Sequence, residues 1–238
     1  MNTSSTRLRT ALLLAALVSV PFANSAFADI VVPVTSDTEI VLDNGDANAL
    51  TYHNTPLGPS TIDLLALKPT NQDFQYYPLL KFDLSSYSGD TVTGGATLSL
   101  YVNNANVSSF SVGLVSLAAP FNPATTTYDN YYGTEFSGGS WGAAIGSAQV
   151  FFPTSAGFYS FAIPQATVQS WIDSPSANYG IGIVTTYGTP GVVDFSSSTG
   201  GHPATLSFSA VPEPSTYAAI AGGLMLGIAM LRRRKSAA

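Results

Sequence analysis

From Asp29 to Ala210 the chain is broken into short runs of alternating polar and apolar residues, separated by Gly, Pro, Asn and Ser, with no long amphipathic helical pattern among them. A side-chain period of two belongs to extended backbone with one buried face, and closely spaced turn residues limit each run to a single strand. Thr97-Leu98-Ser99-Leu100-Tyr101-Val102 is the clearest run, placing Leu98, Leu100 and Val102 on one face before a turn at Asn103-Asn104. Phe110 to Leu117 reads as the next strand. Further strands are predicted at Thr38 to Leu42, Leu64 to Leu67, Pro78 to Phe82, Ser147 to Phe152, Gly157 to Ile163, Gly180 to Thr186, Val192 to Ser196 and Ala204 to Ala210. So many short strands predict an all-β fold, an antiparallel β-sandwich of jelly-roll type. One short helix is expected over Gln165 to Asp173, with Val168, Trp171 and Ile172 turned toward a sheet.

Composition narrows what such a sandwich can do. Only Lys68 and Lys81 are basic between Asp29 and Ala210, against thirteen Asp and Glu, so this region carries about eleven net negative charges. Nucleic acid is excluded as a partner, because phosphate contacts need clustered Lys and Arg. Simple charge attraction to anionic lipid or polyanionic sugar is excluded on the same ground. With no cysteine anywhere, the fold has no disulfides and no thiol chemistry, so its stability rests on packing. Roughly 180 residues suffice for one domain with a sizeable core.

The two flanks are of a different kind. Arg7 and Arg9 precede an apolar run from Ala11 to Val20, and Ala26-Phe27-Ala28 supplies small residues for cleavage before Asp29. This is the pattern of a Sec signal peptide over residues 1–28, with the Sec translocon as partner and Ala26 and Ala28 at the cleavage site. At the other flank, residues 211–238, Pro212-Glu213-Pro214 precedes an uncharged apolar segment from Thr216 to Leu231 and then Arg232, Arg233, Arg234 and Lys235. The prolines hold the backbone around Glu213 extended. The cations anchor the cytoplasmic end of a hydrophobic helix by the positive-inside rule. That helix is expected to sit in the inner membrane transiently, since it is shorter than the roughly 20 residues a full span requires and carries Gly222, Gly223 and Gly227. The three-part arrangement resembles the PEP-CTERM sorting signal. The resemblance implies an exosortase as partner, Pro212, Glu213 and Pro214 as its recognition motif, and release or transfer to the cell surface or extracellular matrix, in association with extracellular polysaccharide or a biofilm matrix.

Within residues 29–210, four stretches resemble in order the DNRLRE family of secreted bacterial β-sandwich modules. They are Tyr77-Pro78-Leu79-Leu80-Lys81-Phe82-Asp83-Leu84-Ser85, then Ala96 to Tyr101, then Val168-Gln169-Ser170-Trp171 through Asn178-Tyr179-Gly180-Ile181, and finally His202 to Leu206. The resemblance implies a sandwich related to carbohydrate-binding modules, with Trp171 buried. Because residues 29–210 contain no arginine, what it implies is architecture and not a sugar site built on Arg.

Candidates for chemistry are few. His53 and His202 are the only histidines, and no nucleophile elbow, zinc-helix motif or phosphate loop is present, so no catalytic residue is assigned and the protein is read as non-enzymatic. Asp129, Glu135, Asp173 and Asp194 offer carboxylate pairs for glycan hydrolysis only in the sense that any acidic chain does. No cofactor is expected apart from calcium, for which Asp43 and Asp46 in Asp43-Asn44-Gly45-Asp46-Ala47-Asn48 are candidate ligands; a solvated Asx turn is the alternative. Tyr131, Tyr132 and Trp141, in a Gly- and Ser-rich stretch with Tyr128 and Phe136, are candidates for stacking on sugar rings, with core at one end of the sandwich as the alternative use. A carbohydrate-binding module and a structural or adhesive surface protein are thus the two leading classes.

Overall fold

The alternation at Leu98 does what its period dictates: Leu98, Leu100 and Val102 of β5 (Ala96–Ala105) are buried, while Thr97 and Asn103 on the opposite face are exposed. The structure is a computed structural model and describes residues 29–43, 63–68, 74–105, 110–131, 141–151, 155–185, 191–212 and 222–228. One flank of β5 pairs with β9 (Gly157–Ile163). Along its other flank lie β11 (Gly191–Ser196) and then β12 (Thr205–Val211), with residues 197–204 looping out between them. Beyond these, β2 (Asp63–Lys68) pairs β11, and the first part of β1 (Asp29–Asp43) pairs β12; the short β4 (Thr91–Val92) pairs the end of β12. This is the first sheet.

The second sheet runs from the later part of β1 through β3 (Phe74–Phe82), β10 (Ile181–Thr185) and β6 (Phe110–Leu117). The far flank of β6 pairs with β7 (Trp141–Ala144) and β8 (Gln149–Phe151) in succession. Every pairing in both sheets is antiparallel. β1 serves both sheets, leaving β12 after Pro33 and joining β3 from Val34, with a register shift between Val34 and Ser36. Such a bulge bends a strand and re-aims it, which a strand changing sheets requires.

Side chains from both sheets meet in one buried cluster. β5 gives Leu98, Leu100 and Val102 and β9 gives Phe161 and Ile163, against Leu80 and Phe82 of β3, Leu114 of β6 and Ile181 and Ile183 of β10. The expected helix, α2 below, covers the same residues as predicted, Gln165–Asp173, and buries Val168, Trp171 and Ile172. A preceding helical turn, α1 (Tyr128–Tyr131), belongs to a second cluster on the outer face of the second sheet, where Ile40, Leu79, Leu117, Tyr128 and Tyr131 pack with Tyr77 and Trp141. β3 is therefore buried on both faces, with Leu79 on one side and Leu80 on the other.

Gly182 of β10 makes the second cluster possible. A Cβ there would lie 2.1 Å from Cζ3 of the Trp141 ring. Gly182→Ala is expected to lift the indole off the sheet and to cost about 1–3 kcal/mol, as overpacking does; chemical denaturation checks it, and an unchanged midpoint would contradict the packing.

At the C-terminal flank the chain is helical over 222–228, with these residues exposed. No helix among the described residues is long and apolar enough to cross a membrane. Of the segment Thr216 to Leu231 expected to be helical, residues 222–228 are described and are helical, and the rest lies outside the described residues. Residues 1–28, Asp46, His53, Tyr132, Glu135, Glu213, Pro214, Arg232, Arg233, Arg234 and Lys235 lie outside the described residues, as does the side chain of Asp43.

Candidate functional site

The outer face of the first sheet is polar by alternation, since the residues between the core positions of β5, β9 and β12 are mostly Ser and Thr. The register places Thr205 opposite Ser99 and Ser99 opposite Ser160, so three hydroxyl side chains form a row across three strands. Two residues along, Tyr101 on the same face lies opposite Phe158. Their rings meet edge to face at 5.0 Å, and the His202 imidazole stacks on the Tyr101 ring at 3.9 Å. Phe158 and His202 meet edge to face at 5.7 Å, so the three rings form one surface cluster. Phe158 is 58 % exposed, the most exposed aromatic side chain in the described sandwich. An exposed phenyl ring is ordinary on its own, but clustered with two further rings beside a row of hydroxyls it makes a mixed apolar and polar surface.

His202 reaches this face because residues 197–204 leave the sheet, and a buried carboxylate holds that excursion in place. Asp37 of β1 is 1 % exposed; Ser198 donates its N–H to Asp37 Oδ2 at 2.6 Å and its hydroxyl to Oδ1 at 2.5 Å. The His202 N–H donates to Ser196 Oγ at 3.3 Å. Desolvation raises the Asp37 carboxyl above the ordinary carboxylate range, against the opposing pull of the Ser198 hydrogen bonds. The folded protein therefore keeps the Asp37 proton at pH values where the unfolded chain has lost it. Stability falls as pH rises through that window and levels off above the folded value. Asp37→Asn, which keeps an acceptor for the Ser198 N–H, is expected to flatten this part of the pH dependence in thermal melts between pH 4 and 7; an unaltered slope would contradict it.

Of the residues expected to stack on sugars, the described Tyr131 and Trp141 lie elsewhere. Tyr131 is 5 % exposed, its hydroxyl donates to the Ala119 carbonyl at 2.7 Å, and burial pushes that hydroxyl well above its ordinary range. Its ring packs in the second cluster, the core use that is the alternative to a glycan contact. Trp141 is half-buried and turns its ring onto Gly182, Tyr77 and Tyr131. Asp129, Asp173 and Asp194 stand on α1, α2 and β11, three separate elements. Among the described residues no group of three or more His, Asp or Glu could hold a metal ion, and the Asp43 to Asn48 turn is largely outside them.

A concavity of about 550 Å³ is lined by Lys81 and Asp83 with Thr35, Ser36, Ser85 and Asn178. Ser85 hydrogen-bonds Asp83, its N–H donating at 3.0 Å, and these bonds hold the Asp83 carboxyl below the ordinary range. Asn178 donates to the Phe82 carbonyl at 3.1 Å, joining the 174–180 loop to the end of β3.

Sequence reasoning missed Tyr101 and Phe158 because it sought aromatics in loops. The signal was present in Thr97 to Val102, where Tyr101 shares the polar face with Thr97 and Ser99. The pairing of Tyr101 with Phe158 depends on strand register and is not legible from spacing.

No curated protein matches the chain. Residues 210–235 match the family model of the PEP-CTERM protein-sorting motif, a match that begins at Ala210 inside β12 and takes in Pro212, Glu213, Pro214 and the cationic cluster through Lys235. That motif, following an all-β domain, supports an exosortase-sorted protein, exported and processed at the membrane to the cell surface.

Proposed function

We propose that the protein is a non-enzymatic surface module that binds neutral polysaccharide through the Tyr101, Phe158 and His202 face, its domain being a DNRLRE-like sandwich of jelly-roll type related to carbohydrate-binding modules. The single observation that carries this reading is the exposed Phe158 ring, buttressed by Tyr101 and His202 beside the Ser99, Ser160 and Thr205 hydroxyls. A sugar presents a C–H face to an aromatic ring and hydroxyls to its surroundings, and this face offers both kinds of partner. The domain's strongly negative charge favours uncharged sugars over uronate or sulfated chains. The sorting motif supports export to the cell surface, the side on which an extracellular polysaccharide, as in a biofilm matrix, would be met.

The test is a glycan array probed with the processed protein, with and without calcium. Saturable binding to neutral glycans, unaffected by chelation, is the expected result. Binding confined to acidic glycans in the presence of calcium would contradict the reading, and a folded protein with no hit would favour a structural or adhesive role.

A further inference from the structure

The two ends of the domain lie side by side. Asp29, where the signal peptide is expected to end, pairs with Ser209 of β12, whose hydroxyl donates to Asp29 Oδ1 at 3.0 Å. Two residues later β12 ends at Val211, and Pro212 follows, exposed and outside the sheet. The first two residues of the sorting-motif match are thus strand residues, Ala210 opposite Val92 and Val211 opposite Thr91 of β4.

β4 is itself clamped. Gln169 of α2 accepts the Val92 N–H at 2.7 Å and donates to the Asp90 carbonyl at 3.0 Å, and Gln165 donates to the Val92 carbonyl at 2.6 Å. Thr93 donates its N–H to the Ser209 carbonyl at 2.9 Å. Two glutamine side chains bonded to the backbone of a two-residue strand lock the exit of β12 to the helix beside it. Opening this end requires breaking that network as well as a strand pair.

Distance then fixes orientation. Between Val211 and the apolar segment beginning at Thr216 there are only residues 212–215, spanning at most about 14 Å when fully extended. The ten residues of β5, antiparallel to β12, extend about 33 Å away from the same end. A tether so much shorter than the domain cannot let it turn over.

We propose that this pole, formed by Asp29, Ser88, Asp90, Thr91 and Val211, is the surface the protein presents to the membrane and its sorting enzyme, and that the clamped β12 confines processing to the bonds after Val211. The inference rests on the sorting-motif match and is independent of glycan binding. The domain can be fully folded while attached at either end, because both attachments leave from one pole. Tyr101 and Phe158 lie further along β5 and β9 and are displayed away from the membrane.

The chain's lack of cysteine makes the test clean. Ser88→Cys at the pole and Asn104→Cys at the opposite end of β5 are each labelled with a fluorophore in the full-length, membrane-held protein, and a quencher is placed on the lipid headgroups. Strong quenching at Ser88 with little at Asn104 is the expected result; equal quenching at both overturns the orientation. In parallel, the intact mass of the processed protein from cells is expected to include Val211, and a C-terminus before Val211 overturns the limit set by β12. A protein whose mass shows no C-terminal processing, with no membrane-held form, would sink the sorting reading itself and not only this inference.

Discussion

Replacing Pro212, Glu213 and Pro214 together with alanine is expected to leave the protein at full length in the membrane fraction of cells, with the processed form reduced at least tenfold. Prolines fix φ and disfavour helix in the residue before them, so a Pro-Glu-Pro sequence favours extended backbone, the form in which a processing enzyme reads a peptide. Pro212 is exposed and the strand before it is locked, so the motif stands immediately outside the folded domain. Three alanines remove both the restraint and the carboxylate and favour helix propagating back from the apolar segment. The domain should be unaffected, because no core residue is touched. Immunoblotting of fractionated cells provides the measurement, and unchanged processing of the variant would refute the motif's role.

The second large effect is on ligand binding. The double variant Phe158→Ala with Tyr101→Ala is expected to weaken retention on neutral polysaccharide by about a hundredfold, from about 3 kcal/mol of lost apolar contact. Most of that loss belongs to Phe158, whose ring is open to solvent, while Tyr101 and His202 both meet it edge to face. Because both side chains stand on the outer face of the first sheet, their truncation leaves the Leu98, Leu100 and Phe161 core intact. Thermal stability should therefore shift far less than binding. Equal binding by the double variant and the parent would remove the face from consideration, and Trp141→Ala, which disturbs the second cluster, serves as the contrasting control.

Much of the fold was legible because alternation and turn chemistry are local. Phe110–Leu117 and Gly157–Ile163 form strands over the residues their patterns indicate, and α2 follows its apolar spacing from Gln165 to Asp173. The first half of β1 was not legible. Ile30, Val31 and Val32 are consecutive apolar residues in which the period of two is hidden, yet Val32 is buried and Val31 is 56 % exposed. That half is a strand because β12 is there to pair with it, a contact between opposite ends of the chain. β7 and α1 were hidden for another reason: a Gly- and Ser-rich stretch reads as loop, and only the cover it gives to Leu79 and Gly182 makes it structure. The site was half legible. The sorting motif is linear and can be read directly, whereas the aromatic cluster is assembled by register across β5 and β9 and by the Asp37 anchor of residues 197–204.

The most direct test of the account is to titrate the processed, isotope-labelled protein with a neutral oligosaccharide that it retains and to map the perturbed NMR resonances. The account predicts saturable shifts centred on Tyr101, Phe158 and His202 and extending to Ser99, Ser160 and Thr205. Shifts centred instead on Lys81, Asp83 and Asn178, or none in the outer face of the first sheet, would contradict it.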